Sequence, residues 1–125
     1  MYTKTITTFA LASALVVGGA AAPALAKGRV ERASGPCATG VWKLKAKADN
    51  GGLDVEYELD TNRVGQTWRV RIFDNGTRVA RTTRTTGAPS GSFSVHRIIS
   101  NRAGSDVIVA RAIRGNTTCT GTVTF

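Results

Sequence analysis

Residues 42–59 read WKLKAKADNGGLDVEYEL, and this stretch decides the fold class. Asn50-Gly51 is a strong signal for a two-residue hairpin turn, because a type I′ turn needs positive φ at both central positions. Centring the turn there sets Trp42 opposite Leu59 and places the apolar side chains of both strands on one face. A slip of one residue would mix apolar and charged side chains on each face, so the pattern predicts a single register.

The other face of this hairpin carries charges of opposite sign in facing positions. The predicted pairs are Lys43 with Glu58, Lys45 with Glu56 and Lys47 with Asp54. Three acids in alternation are also compatible with a cation site or an acid/base pair. Because each acid has a lysine opposite, we interpret them as exposed cross-strand ion pairs, each contributing a fraction of a kcal/mol.

A second hairpin is predicted from Thr67 to Phe73, with a turn at Asp74-Asn75-Gly76 and a return through residues 78–84. Two turn geometries are allowed for this sequence. A two-residue turn puts Ala80, Thr82 and Arg84 on the face that carries Arg69 and Arg71. A three-residue turn with a bulge instead sets Arg81 directly opposite Arg69.

In either geometry several arginines share one face of the second hairpin, with no acid among them. Like charges that face each other cost stability, so this face is the candidate functional site. The candidate anion-binding residues are Arg69, Arg71, Arg81 and Arg84. The alternative interpretation is a solubilising face in a chain whose composition favours arginine.

Three further strands are predicted over residues 91–99, 106–113 and 118–125, and no stretch has the period of a helix. Seven short strands with turn signals near every tenth residue are typical of a β-sandwich. We therefore predict an all-β fold, a single antiparallel seven-stranded sandwich of Ig-like or fibronectin-like topology. Trp68 on the third strand suits the central tryptophan position of such a core.

The first 26 residues have the pattern of a secretory signal peptide. Lys4 precedes an apolar run from Phe9 to Val17, and Ala24-Leu25-Ala26 supplies a cleavage site. The apolar run is too short to cross a bilayer, so no membrane span is expected. The predicted organisation is a signal peptide at 1–26, a flexible tail at 27–36 and the sandwich at 37–125, in a secreted, extracellular protein.

Export would place Cys37 and Cys119 in an oxidising compartment, where a disulfide between them is expected. This bond would join the start of the first strand to the start of the last. Two free thiols are the alternative. Neither cysteine has a histidine or a second cysteine nearby, so a metal or catalytic role is not indicated.

The formal net charge is +9, or +8 once Lys4 is removed with the signal peptide, and arginine is the main basic residue. Part of this bias is typical of proteins from high-GC bacteria. The excess nevertheless implies long-range attraction to anions. The expected partner is an anionic cell-surface polymer or an acidic protein, bound by a monomer.

Four segments carry a resemblance to known proteins: residues 42–46 (WKLKA), 65–70 (GQTWRV), 74–76 (DNG) and 89–93 (PSGSF). In these segments the chain resembles a group of small exported actinobacterial proteins with a signal peptide, an Ig-like sandwich and two cysteines. The resemblance covers most of the mature chain. It implies no activity and carries over no functional residue.

Nothing in the sequence indicates an enzyme, a cofactor or a metal site. His96 is the only histidine and is expected to be a partly exposed strand residue, and no G-x-S-x-G motif is present. The chain lacks the clustered aromatic residues that bind single-stranded nucleic acid, so specific nucleic-acid recognition is not expected.

The sequence leaves three functions open. The first is a non-catalytic binding module that uses the arginine-rich face. The second is an inhibitor-like module that presents residues 82–92, a loop-like stretch rich in Thr, Gly, Ser and Pro, to a protein target. The third is a purely structural protein of the cell envelope.

Overall fold

Residues 28–125, the part of the chain that the computed structural model describes, fold into eight β-strands without a helix. The predicted signal peptide at 1–26 lies outside the described residues. The strands are β1 (Val30–Cys37), β2 (Gly40–Asp49), β3 (Gly52–Asp60), β4 (Thr67–Asp74), β5 (Thr77–Thr85), β6 (Ser92–Ser100), β7 (Val107–Arg114) and β8 (Thr117–Thr124). Within residues 28–125 no helix is long and apolar enough to cross a membrane.

The strands form two antiparallel sheets whose apolar faces meet in one core. Sheet A has the order β1-β2-β3-β6 and sheet B the order β5-β4-β7-β8. Both sheets contribute to the same buried cluster, with Leu44 and Val55 from sheet A and Trp68 and Ile108 from sheet B. The all-β prediction is therefore confirmed.

A hydrogen bond crosses this core from one sheet to the other. The buried Tyr57 hydroxyl of β3 donates to the Cys119 carbonyl oxygen of β8 at 2.9 Å. Burial raises the pKa of Tyr57, because the apolar surroundings disfavour the phenolate. The hydroxyl therefore keeps its proton and remains a donor that connects the sheets.

The register predicted for the first hairpin is confirmed. Trp42 lies opposite Leu59, and all three lysine–carboxylate pairs of β2 and β3 have the predicted partners. Asn50 and Gly51 have φ of 48° and 84°, which is the conformation that a type I′ turn requires.

The number of strands differs from the prediction, because residues assigned to a flexible tail form β1, which pairs with β2 along its whole length. The inward positions of β1 are Glu31, Ala33, Gly35 and Cys37, so the strand lacks the apolar alternation that reveals a half-buried strand. Gly35 lies beneath the Trp42 ring, and a Cβ there would come within 2.9 Å of it. Backbone pairing, the small residue under Trp42 and the packing of Ala33 and Cys37 against the core keep this strand in the sheet without large apolar side chains.

The predicted disulfide between Cys37 and Cys119 is present, with the two Cα atoms 5.5 Å apart. Its position differs from the expectation, because Cys37 ends β1 instead of opening the first strand. The bond joins sheet A to sheet B where the edge strands β1 and β8 meet. At the far end of the same edge, the Arg29 guanidinium lies 4.4 Å from the centre of the Phe125 ring.

Candidate functional site

The second hairpin combines a two-residue turn with a bulge, an arrangement that neither predicted geometry contained. Asn75 and Gly76 have φ of 50° and 85° and form the turn. The register then shifts by one residue between Phe73 and Ile72, so that Val79 is the extra residue of β5. The bulge lets the consecutive Val79 and Ala80 both pack against the core, which strict alternation in a strand would prevent.

The bulge decides which arginines of β5 share a face with those of β4. Arg81 lies opposite Arg71, two residues along β4 from the predicted partner Arg69. Arg84 lies opposite the inward-facing Trp68, and its Nη1 donates to the Thr82 hydroxyl at 2.6 Å. Arg69, Arg71 and Arg81 therefore share the outward face of sheet B, whereas the assignment of Arg84 to that face was wrong.

Two further arginines, absent from the predicted site residues, lie on this face: Arg78 of β5, opposite the outward Phe73, and Arg111 of β7. Arg111 lies directly opposite Arg71 on the side away from β5. Arg81, Arg71 and Arg111 thus form a row across three adjacent strands, here called the arginine row. The outward side chains Arg69, Arg71, Arg78, Arg81 and Arg111 together are called the arginine face. The position of Arg111 between Ala110 and Ala112 indicated an outward side chain, but only the strand order places it beside Arg71.

The central arginine of the row is partly buried by its neighbours. Arg71 Nε has no hydrogen-bond partner in residues 28–125 and is shielded from solvent. Arg69, Arg71 and Arg81 line a shallow groove of ≈ 430 Å³ on this face. Arg111 lies over the Phe73 ring, 5.3 Å from its centre, and this cation–π contact fixes the outer end of the row.

No acid lies on the arginine face. The chain has eight acidic residues, and six of them lie on the strands of sheet A. The other two, Asp74 and Asp106, are buried. The five guanidinium groups of the arginine face therefore have no carboxylate partner within residues 28–125.

Comparisons with protein-family models, with curated proteins and with solved structures found no match for this chain.

The outward face of sheet A contrasts with the arginine face, because each lysine of β2 lies opposite a carboxylate of β3. Lys45 Nζ lies 3.4 Å from Glu56 Oε1. His96 is an exposed strand residue, as expected, and its Nε2 contacts Asp54 Oδ1. In the part of the chain that the structure describes, no group of three or more His, Cys, Asp and Glu side chains is arranged to hold a metal ion.

The two buried acids lie together beside the turn of the second hairpin. Burial raises the pKa of Asp74 to about 6, and the neighbouring Asp106 carboxyl acts in the same direction. Arg102, whose Nε lies 3.5 Å from Asp74 Oδ2, opposes this shift. The Asn75 side chain holds the adjoining segment, since its Oδ1 accepts the Val107 N–H at 2.8 Å and its Nδ2 donates to the Ser105 carbonyl oxygen.

Residues 82–92 do not form the single loop that the inhibitor-like alternative requires. Strand β5 continues to Thr85 and β6 begins at Ser92, so only residues 86–91 connect them. Thr86 is buried, its N–H donates to the Gln66 carbonyl oxygen at 2.8 Å, and its hydroxyl donates to the Arg63 carbonyl oxygen. Gly91 accepts the Thr61 N–H at 2.9 Å. The connection is thus tied to residues 61–66 at both ends.

Proposed function

We propose that this protein is a non-catalytic binding module that holds an anionic polymer on the arginine face of sheet B. The observation that carries the proposal is the arginine row, in which Arg71 has an arginine directly opposite on each side. Directly opposed like charges destabilise a sheet. A bound anion would remove that repulsion, so the free face is already arranged for a ligand of negative charge.

The partial burial of Arg71 supports a defined site over a diffuse positive surface. A guanidinium with a shielded Nε and no hydrogen-bond partner retains an unmet donor. An oxyanion above the row would accept hydrogen bonds from the outer nitrogens of the guanidinium groups, in the forked geometry that arginine favours. Isolated, solvated arginines would be stabilised less by a bound anion, because water already satisfies their donors.

We further propose an Ig-like topology for the two sheets. If β1 is set aside, β2, β3 and β6 correspond to strands A, B and E, and β5, β4, β7 and β8 to strands C′, C, F and G. Trp68 on β4 then occupies the position of the Ig-like core tryptophan. Secretion is part of the same proposal, and the Cys37–Cys119 disulfide is compatible with it because such bonds persist in oxidising compartments.

The proposal is tested by removing two charges from each sheet in turn. The double variant Arg69→Gln/Arg71→Gln is compared with Lys43→Gln/Lys45→Gln, which loses the same charge from the neutralised face. Binding to heparin is measured over a range of salt concentrations. We expect the arginine variant to lower affinity and to flatten the plot of log affinity against log salt by roughly one unit per engaged arginine.

The lysine variant should bind almost as tightly as the unmodified protein, since its lysines face carboxylates. Thermal unfolding of both variants serves as the folding control, because each variant changes one exposed and one half-buried side chain outside the core, and surface substitutions typically change stability by about 0.5 kcal/mol. Equal losses of affinity in the two variants would mean that net charge alone attracts the polymer, and the proposed site would be wrong.

A further inference from the structure

We infer that the ligand of the arginine face is a polyhydroxylated chain bearing sulfate or phosphate esters, and that it lies across the strands along the arginine row. This inference rests on the proposed function and names its ligand class and orientation. Three features of sheet B support it: the direction of the row, the absence of a free aromatic surface, and the threonines beside the row.

The direction follows from the positions of the charges. Arg81, Arg71 and Arg111 lie on adjacent strands, which are about 4.8 Å apart in a sheet. Along β4, by contrast, Arg69 and Arg71 are the only charged residues on this face, because the next outward positions are Thr67 and Phe73. A linear polyanion therefore meets three guanidinium groups when it crosses the strands and two when it follows β4.

The aromatic residues disfavour single-stranded nucleic acid. Proteins that bind such strands stack the bases on exposed aromatic rings. The one aromatic residue on the outward face of sheet B is Phe73, and the Arg111 guanidinium covers its ring. The remaining aromatic side chains of residues 28–125 face the core. A base would thus find charge on this face but no free ring on which to stack.

Threonine hydroxyls extend the site beyond the charges. On β8, Thr120 continues the arginine row beyond Arg111, and Thr118 ends the neighbouring row that contains Arg69. Both threonines are exposed. Hydroxyl groups donate and accept hydrogen bonds, so they match the hydroxyls of a sugar or polyol chain whose ester groups bind the arginines.

The ligand class is tested with the full-length mature protein and three probes of equal formal charge. These probes are a heparin oligosaccharide, a poly(glycerol phosphate) chain and an oligo(dT) strand, each titrated by calorimetry at the same salt concentration. We expect at least one of the first two to bind several-fold more tightly than oligo(dT), and their ranking separates sulfated from phosphorylated sources. Equal or tighter binding of oligo(dT) would overturn the ligand class but leave the proposed function standing.

The orientation is tested with single substitutions measured against the tighter probe. Arg81→Gln and Arg111→Gln should each reduce affinity more than Arg69→Gln does, because Arg69 lies outside the row. Arg114→Gln is the matched control. It removes one exposed arginine from the end of β7, at a position that alternates to the other side of the strand from Arg111. A larger loss at Arg69 than at Arg111 would overturn the crosswise orientation. Equal losses in all four variants would contradict the proposed function itself.

Discussion

Each sheet has four antiparallel strands, yet the charged residues on the two outward faces are arranged in opposite ways. The strands of sheet A carry five basic and six acidic residues, whereas those of sheet B carry seven arginines and the buried Asp74. On sheet A, lysines of β2 face acids of β3. On sheet B, Arg71 faces arginines on both sides.

This difference shows how charge can either stabilise a sheet or be left available for a ligand. Cross-strand pairs of opposite sign contribute a fraction of a kcal/mol each to stability. They leave little net electrostatic potential at the surface to attract a charged partner. Unpaired like charges cost stability but attract counterions over distances comparable to the Debye length. An overall charge of +9 would not by itself separate these two situations.

The largest expected effect comes from cutting the covalent link between the sheets. Cys37→Ser/Cys119→Ser removes a bond between residues 82 positions apart, and the chain-entropy model predicts a loss of about 4 kcal/mol in the free energy of unfolding. Urea denaturation of the variant and the unmodified protein measures this loss. Heparin affinity in the absence of urea should stay the same, because the arginine face lies on β4, β5 and β7. A matching loss of affinity would show that the face depends on the link between the sheets.

The next effect concerns the buried acid of sheet B. Asp74 has a pKa of about 6 in the folded protein and 3.8 as its ordinary value, so between these values the folded state binds the proton more tightly than the unfolded state. The free energy of unfolding should therefore fall as pH rises from about 4 through about 6, by up to roughly 3 kcal/mol.

Asp74→Asn should remove this fall, because asparagine does not titrate. The measurement is denaturant unfolding of both proteins at several pH values, with the substitution Asp49→Asn at an exposed position as the control. If the Asp74→Asn protein kept the same pH profile, the fall in the free energy of unfolding would not come from Asp74 and its neighbour Asp106.

The smallest effect compares charge reversal on the two faces directly. Lys43→Glu places an acid opposite Glu58, whereas Arg71→Glu places one between Arg81 and Arg111. Both substitutions change the net charge equally. We expect the free energy of unfolding to fall by about 0.5 kcal/mol in the first and to rise by a similar amount in the second. Thermal unfolding at low salt measures both, and shifts of the same sign would contradict the comparison between the faces.

The local sequence pattern was sufficient to predict the structure where residues that are close in sequence are also neighbours in the sheet. The register of β2 and β3 follows from Asn50-Gly51 together with the alternation of apolar, basic and acidic residues, since only one pairing keeps the faces distinct. The arginines of β4 were likewise identified as an outward set without acids. The disulfide followed from the presence of two cysteines and the expectation of export.

Tertiary structure decided the features that depend on residues far apart in the chain or on competition for the core. Strand β1 forms because β2 offers an edge and Gly35 leaves room for Trp42, and neither condition is visible as apolar alternation. The bulge at Val79 reverses the faces of Arg81 and Arg84 because two consecutive apolar residues both gain burial. Arg111 reaches Arg71 only because β7 pairs with β4, a contact between strands separated in sequence by β5 and β6. Alternation fixes the side of a strand that a residue faces, but the order of strands in the sheet, set by burial of the common core, fixes which residues lie beside it.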